Sequence, residues 1–180
     1  MKKFLGAIVS GLAGVLSLVF LSIPAFSIEM MGETTKYSGW KLLKTDDITD
    51  LAKMVGMDGV TALTWYRILA WIIVVVAVVL IVLAVLQLLS ALGVVKMPAI
   101  INTVAKYALI ALAVVSILAL IANFGIRSEF VDYYEKNKAP AEMIKELKKS
   151  LTVGASLWIV AIVNTIAAVC GNLFVKKAND

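Results

Sequence analysis

The chain has no histidine, and Cys170 is its only cysteine. Without histidine there can be no Ser-His or Cys-His nucleophile pair and no imidazole-based metal site. A single thiol closes no intrachain disulfide and completes no two-cysteine redox or zinc motif, and Cys170, set inside an apolar run, reads as a buried structural residue. Charge is also scarce. Asp, Glu, Lys and Arg together make up 16% of the residues, and no Asp or Glu falls inside any long apolar run. Small proton-coupled exporters need a membrane-embedded carboxylate and intramembrane aspartyl proteases need two, so neither class fits. The expectation is a chain that is not an enzyme and holds no cofactor or metal.

What the chain has in quantity is hydrophobicity, with 62% apolar residues. Four apolar runs, Phe4–Ile23, Leu63–Leu92, Ala99–Phe124 and Leu151–Val175, each reach the roughly 20 helical residues that cross a hydrocarbon core. In lipid the backbone must satisfy its own hydrogen bonds, so such runs are expected to be helices. The two sizeable connections, 24–62 and 125–150, are too short to bury separate cores. The expected fold is therefore all-α, a four-transmembrane-helix bundle forming one integral membrane domain over 1–180. The formal charge of +5 comes from residues scattered around helix ends and mixed with acids. That distribution suits lipid headgroups and argues against nucleic acid.

Lys2-Lys3, an apolar stretch and Pro24-Ala25-Phe26-Ser27 resemble a secretory signal with cleavage after Ser27. The apolar stretch exceeds a signal core of about 7–15 residues, and Gly6, Ser10 and Gly14 form a small-residue face suited to helix contact. An uncleaved anchor helix is the expectation. Four spans put both termini and the Gly93–Pro98 turn on one side, with Lys2, Lys3, Lys96, Lys176 and Lys177 against Asp180. The other side carries more Lys and Arg in number, and a literal positive-inside count would place the termini outside. The lysines directly preceding the first span usually dominate, which places the termini in the cytoplasm and the protein in the cell membrane.

In the first outer connection, Lys36-Tyr37-Ser38-Gly39-Trp40 reads as a short strand or an interfacial loop. Thr45 followed by Asp46 and Asp47 reads as an N-cap, and Ile48, Leu51, Met54 and Val55 at helical spacing predict a short amphipathic helix over 46–55. Asp46, Asp47, Asp50 and Asp58 lack the spacing of a calcium loop. In the second outer connection Pro140 opens a helix in which Met143, Ile144, Leu147 and Leu151 continue without a breaker, so the fourth helix is expected to project beyond the bilayer.

Small residues mark candidate packing seams: Ala70, Ala77, Ala84 and Ala91 every seven residues in the second span, Ala113, Ser116, Ala119 and Ala122 in the third, and Gly154, Ala167 and Gly171 in the fourth. The short Gly93–Pro98 turn predicts that the second and third spans are neighbours. Gln87, Ser90, Asn102, Ser116, Asn123, Asn164, Thr165 and Asn172 are the polar groups within spans, and their default role is interhelical hydrogen bonding. Ser116 and Asn164 lie nearest mid-depth, where a polar passage would have to run.

Four helices, a longest first outer connection containing Gly39-Trp40-Lys41-Leu42-Leu43, a short inner turn and a second outer connection make the whole chain similar to the claudin-like tetraspan membrane proteins. Unlike typical members, it has no cysteine in its outer connections. The resemblance implies a non-enzymatic protein whose outer segments contact a partner or a neighbouring copy. The expected function is a non-catalytic interaction or scaffold protein, or an accessory subunit of a membrane assembly. The alternative is a transport or channel subunit that forms its pathway as an oligomer. Beyond the bilayer, the expected partner is another membrane protein or the chain itself, with Trp40, Tyr133 and Tyr134 as candidate contact residues.

Overall fold

A computed structural model of the protein describes residues 2–30, 32–96, 98 and 100–176. Lys177 and Asp180, which entered the orientation argument, lie outside the described residues, as does Ala99 at the head of the third apolar run. The chain is mostly helical. Its elements in order are α1 (Lys2–Phe20), β1 (Pro24–Met30), β2 (Glu33–Ser38), α2 (Gly39–Lys44), α3 (Asp47–Met54), α4 (Thr61–Ala91), α5 (Ile100–Lys136), α6 (Ala141–Ser150), β3 (Leu151–Val153) and α7 (Ala155–Lys176).

Three helices, α4, α5 and α7, are long and apolar enough to cross a membrane, and α1 supplies a shorter apolar helix over Phe4–Phe20. These helices make the chain an integral membrane protein. Contacts divide it into two compact units. A helical unit comprises Met1–Phe20, Ile72–Ile117 and Ile159–Asp180, and a mixed unit comprises Leu21–Trp71 and Leu118–Trp158.

Within the helical unit α1 and α4 run antiparallel with glycine at the contact. A Cβ on Gly14 would lie 2.6 Å from the Ala77 carbonyl oxygen, and one on Gly11 would lie 3.3 Å from the Ala84 Cβ. The lipid-type residues of α1, Ile8, Leu12, Val15 and Val19, point away from this contact and are exposed. Helix α7 packs antiparallel on α5, where a Cβ at Gly171 would collide with the Leu109 side chain.

The mixed unit contains a three-stranded sheet in the order β2-β1-β3, so the expectation of an all-α fold is corrected. β1 and β2 form an antiparallel hairpin pairing Phe26 with Tyr37, Ile28 with Thr35 and Met30 with Glu33. β3 then pairs antiparallel on the other side of β1, with Leu151 opposite Ile28 and Val153 opposite Phe26. Alternation of buried Phe26 and Ile28 with the more open Ser27 and Glu29 is the period-2 signature of a half-covered strand.

The projecting fourth helix is corrected as well. α6 ends at Ser150, β3 intervenes, and α7 begins only at Ala155. The break is forced at Gly154, whose N–H donates to the Ala25 carbonyl at 2.7 Å. A Cβ there would sit 2.1 Å from the Pro24 carbonyl oxygen, so only glycine lets the chain pass. Two helices outrun a span: at 1.5 Å per residue the 31 residues of α4 extend about 46 Å and the 37 of α5 about 55 Å.

Candidate functional site

Charged side chains organise the mixed unit by meeting helix ends of opposite polarity. Unpaired carbonyls at a helix C-terminus attract cations, and unpaired N–H groups at an N-terminus attract anions. Arg67 of α4 donates from Nε to the Leu42 carbonyl at 3.0 Å, from its terminal nitrogen to the Thr45 carbonyl, and to the Asp46 carboxylate at 3.0 Å. It thereby closes the C-terminus of α2. Arg127 of α5 donates to the Lys148 carbonyl in the last turn of α6. Glu129, also of α5, accepts from the Ala62 N–H at 2.9 Å and caps the N-terminus of α4.

The first connection folds tightly around these anchors. Ser38 caps α2 by accepting from the Lys41 N–H at 3.2 Å. Thr45, read from sequence as the N-cap of the amphipathic helix, is instead the C-cap residue of α2; α3 starts after Asp46, whose side chain makes no capping bond. Asp46, Asp47 and Asp50 pair with Arg67, Lys41 and Lys53 respectively. No three metal-ligating side chains converge among the described residues. Burial, followed by the negative charge of Asp47, pushes the Tyr37 phenol above its ordinary value.

Two depressions lie on either side of Leu51 of α3, and both also take Ile28 of β1 into their lining. One, of about 380 Å³, has three carboxylates in its lining, with Glu33, Thr35 and Tyr37 from β2 and Asp47 and Asp50 from α3. The other, of about 520 Å³, is a mainly apolar groove. Phe130 and Tyr134 come from α5, Met143 and Leu147 from α6, Val55 from α3 and Leu151 from β3, with Glu29 and Glu146 among the lining. Neither carboxylate has an ion-pair partner among the described residues, whereas Glu135 on α5 pairs with Lys148 at 3.0 Å.

Comparison with protein-family models, with curated proteins and with solved structures finds no match to this chain. The residues themselves must carry the reading.

The helical unit brings the mid-depth polar residues together. Asn164 of α7 donates from Nδ2 to Ser116 Oγ of α5 at 2.8 Å, and its Oδ1 lies 3.1 Å from Ser17 Oγ of α1. Ser116 donates to the Leu112 carbonyl, and the single O–H of Ser17 is shared between the Ala13 carbonyl and Asn164 Oδ1, so the three side chains and their own helix backbones supply the cluster's partners. All three side chains are buried. Gln87 of α4 donates to Asn102 of α5 at 3.1 Å. Asn123 is fully enclosed, and neither amide atom has a partner among the described residues. Thr165 and Asn172 bond back to carbonyls of their own helix. Ser17 was missed in the sequence, although it continues the Ser10, Gly14 ladder at helical spacing and both serines are buried.

Among the seam residues, Ala70 and Ala77 are fully buried and Ala84 nearly so, while Ala91, at the end of α4, is half-buried. The face carrying Ala77 and Ala84 meets Gly14 and Gly11 of α1. Gly6 is half-buried, its Cβ position 3.9 Å from the Gln87 side chain. In α5, Ala113, Ser116 and Ala119 are buried and Ala122 half-buried; in α7, Ala167 and Gly171 are buried. Gly154 belongs to the strand-to-helix junction and not to a span. Of the aromatic candidates, Trp40 is half-buried on α2, Tyr133 donates to the Val55 carbonyl at 2.9 Å, and Tyr134 lines the apolar groove.

Proposed function

We propose that the protein is a non-catalytic four-span interaction protein, an accessory subunit of a larger assembly in the cell membrane. In this reading α1 is a retained first span, and both termini are cytoplasmic. The observation that carries it is the closed Ser17–Asn164–Ser116 cluster. A pathway through one copy needs polar groups that face water at mid-depth. Here those groups are buried and bonded to one another and to their own helix backbones. Retention of α1 is supported by β1, because cleavage after Ser27 would remove the fully buried Ala25 and Phe26 and split the central strand of the sheet. Lys2-Lys3 ahead of α1 supports the cytoplasmic termini.

The test is reconstitution of the purified protein with ion-flux and partner-association readouts. Asn164→Leu leaves Ser17 and Ser116 bonded to carbonyls of their own helices. That change and Ser116→Ala should therefore each cost only about 0.6–2 kcal/mol and leave association intact. Trp40→Ala and Tyr134→Ala should weaken association. Conductance that disappears with the Ser116 and Asn164 changes, while Trp40 and Tyr134 are dispensable, would replace this reading with a channel subunit.

A further inference from the structure

We infer that the shallow depression at the head of α4 seats the headgroup of a zwitterionic phospholipid, with the ammonium group held by two aromatic rings and one carboxylate. This goes beyond the reading of the chain as an interaction protein and rests only on its being an integral membrane protein.

The depression, of about 660 Å³, lies between the loop that joins α3 to α4, the first turns of α4 and Tyr133 of α5. The loop fixes its shape. Gly56 has a φ of +89°, which glycine adopts without strain, and the Tyr133 hydroxyl donates to the Val55 carbonyl at 2.9 Å. Met57 and Val60 are buried, while Asp58 and Gly59 between them are exposed. Trp65, 59% exposed, and Tyr133 line the same depression, and Asp58 is the only charged residue in its lining. Aromatic rings beside a carboxylate suit an ammonium group, the quaternary kind included, because both the ring faces and the carboxylate attract a cation.

No cation of the chain meets that need. Asp58 has no ion-pair partner among the described residues, and Lys53, on the preceding helix, pairs with Asp50. Lys136, one turn beyond Tyr133, is exposed and outside the lining, and Glu129 and Asp132 on the same helix outnumber it. An anionic headgroup would meet a surplus of negative charge here.

The surface that leads into the depression identifies the occupant as lipid. Trp65 and Ile68 belong to the lining and also begin a stripe on α4, continued by Ile72, Val75, Val79 and Val82, that keeps helical spacing and is exposed throughout. On a membrane-length helix such a stripe is covered by acyl chains, and at 31 residues α4 outruns a core of about 30 Å, which leaves its head at headgroup level. An exposed tryptophan at that level is the usual interfacial anchor. One molecule therefore covers both surfaces, with its acyl chains along the stripe and its ammonium group in the depression.

The experiment uses the full chain in a nonionic detergent, equilibrated with equal amounts of phosphatidylcholine and phosphatidylglycerol of matched acyl chains. Native mass spectrometry counts the lipids retained. The ratio of phosphatidylcholine to phosphatidylglycerol should fall about fivefold in Asp58→Asn and, separately, in Trp65→Leu, which keeps an apolar side chain and removes the ring face. Trp71→Leu, the same change on α4 outside the depression, should leave the ratio as it is. All three positions are exposed, so the changes leave the packed interior alone. A ratio unmoved in either depression variant, or an equal fall in Trp71→Leu, overturns the proposal. Displacement of phosphatidylcholine by millimolar choline chloride overturns it too, by making a free ammonium solute the occupant. The ion-flux measurement bears on the interaction reading alone, so the two failures are distinguishable.

Discussion

Gly154 sits where three demands meet: the end of β3, the start of α7 and the backbone of β1 at Pro24. The atom that a new Cβ would strike is a backbone carbonyl, which cannot rotate away as a side chain would. Gly154→Ala should therefore lower stability by about 3 kcal/mol, at the upper end of ordinary overpacking, as read by thermal unfolding in detergent. Gly171→Ala meets the flexible end of Leu109 and should cost less. At Tyr37 the raised phenol pKa has a defined sign. The neutral form is favoured in the folded chain, so the stability linked to it is complete below the ordinary tyrosine value of about 10 and is lost as pH rises through the higher folded value. Alkaline titration of unfolding should lose part of its pH dependence between about 10 and the higher folded value in Tyr37→Phe. Much at this scale could not be read from sequence. Arg67 stands near the start of a span, but which carbonyls it closes depends on where α2 stops, and that is a tertiary fact.

The contact between α1 and α4 is the element-scale counterpart of those glycines. Ala77 is fully buried against α1, whereas Val78 and Val85 on the same helix are 48% and 52% exposed. Replacing Ala77 and Ala84 with Leu should cost ~1–3 kcal/mol each in thermal unfolding, because the glycine-lined approach leaves no room. Val78→Leu and Val85→Leu should be nearly silent, and equal losses in both pairs would contradict the packing described. The seam was legible because small residues at heptad spacing stand out in a run of Val, Ile and Leu. Its partner was not, since chain proximity through a short turn favoured α5, and spacing within one helix says nothing about which neighbour fills the face. The sheet was illegible for a different reason. β3 is three residues long, too short for alternation to register, and its Leu151 and Val153 merge with the apolar run of α7. β1 is similarly masked, since Pro24–Ser27 also satisfies the pattern of a signal cleavage site.

For the whole molecule, the sheet requires residues from both long connections to lie on the same side of the membrane, because β3 pairs directly with β1. In a Cys170→Ser background, cysteines placed at the exposed Thr34 and Lys145 should react with an impermeant maleimide together, from whichever face is outward. Opposite labelling of the two would be incompatible with the fold. A reporter fused after Asp180 gives the sign of the orientation and should be active in the cytoplasm.

β1 and the β3–α7 junction also impose an order on biogenesis. Ser156 bonds to the Pro24 carbonyl across 132 positions of sequence, and β3 closes on β1 over a comparable distance. The β1–β2 hairpin is synthesised early and can form locally, but one edge of its central strand stays unpaired until α4, α5 and α6 have left the ribosome. Loop-closure entropy and high contact order make that last pairing slow. An exposed strand edge is a template for wrong partners in the meantime. Completion of the sheet is thus a built-in signal that synthesis has passed α6 and reached the head of α7, and a chain stalled before Leu151 displays its immaturity as an open edge.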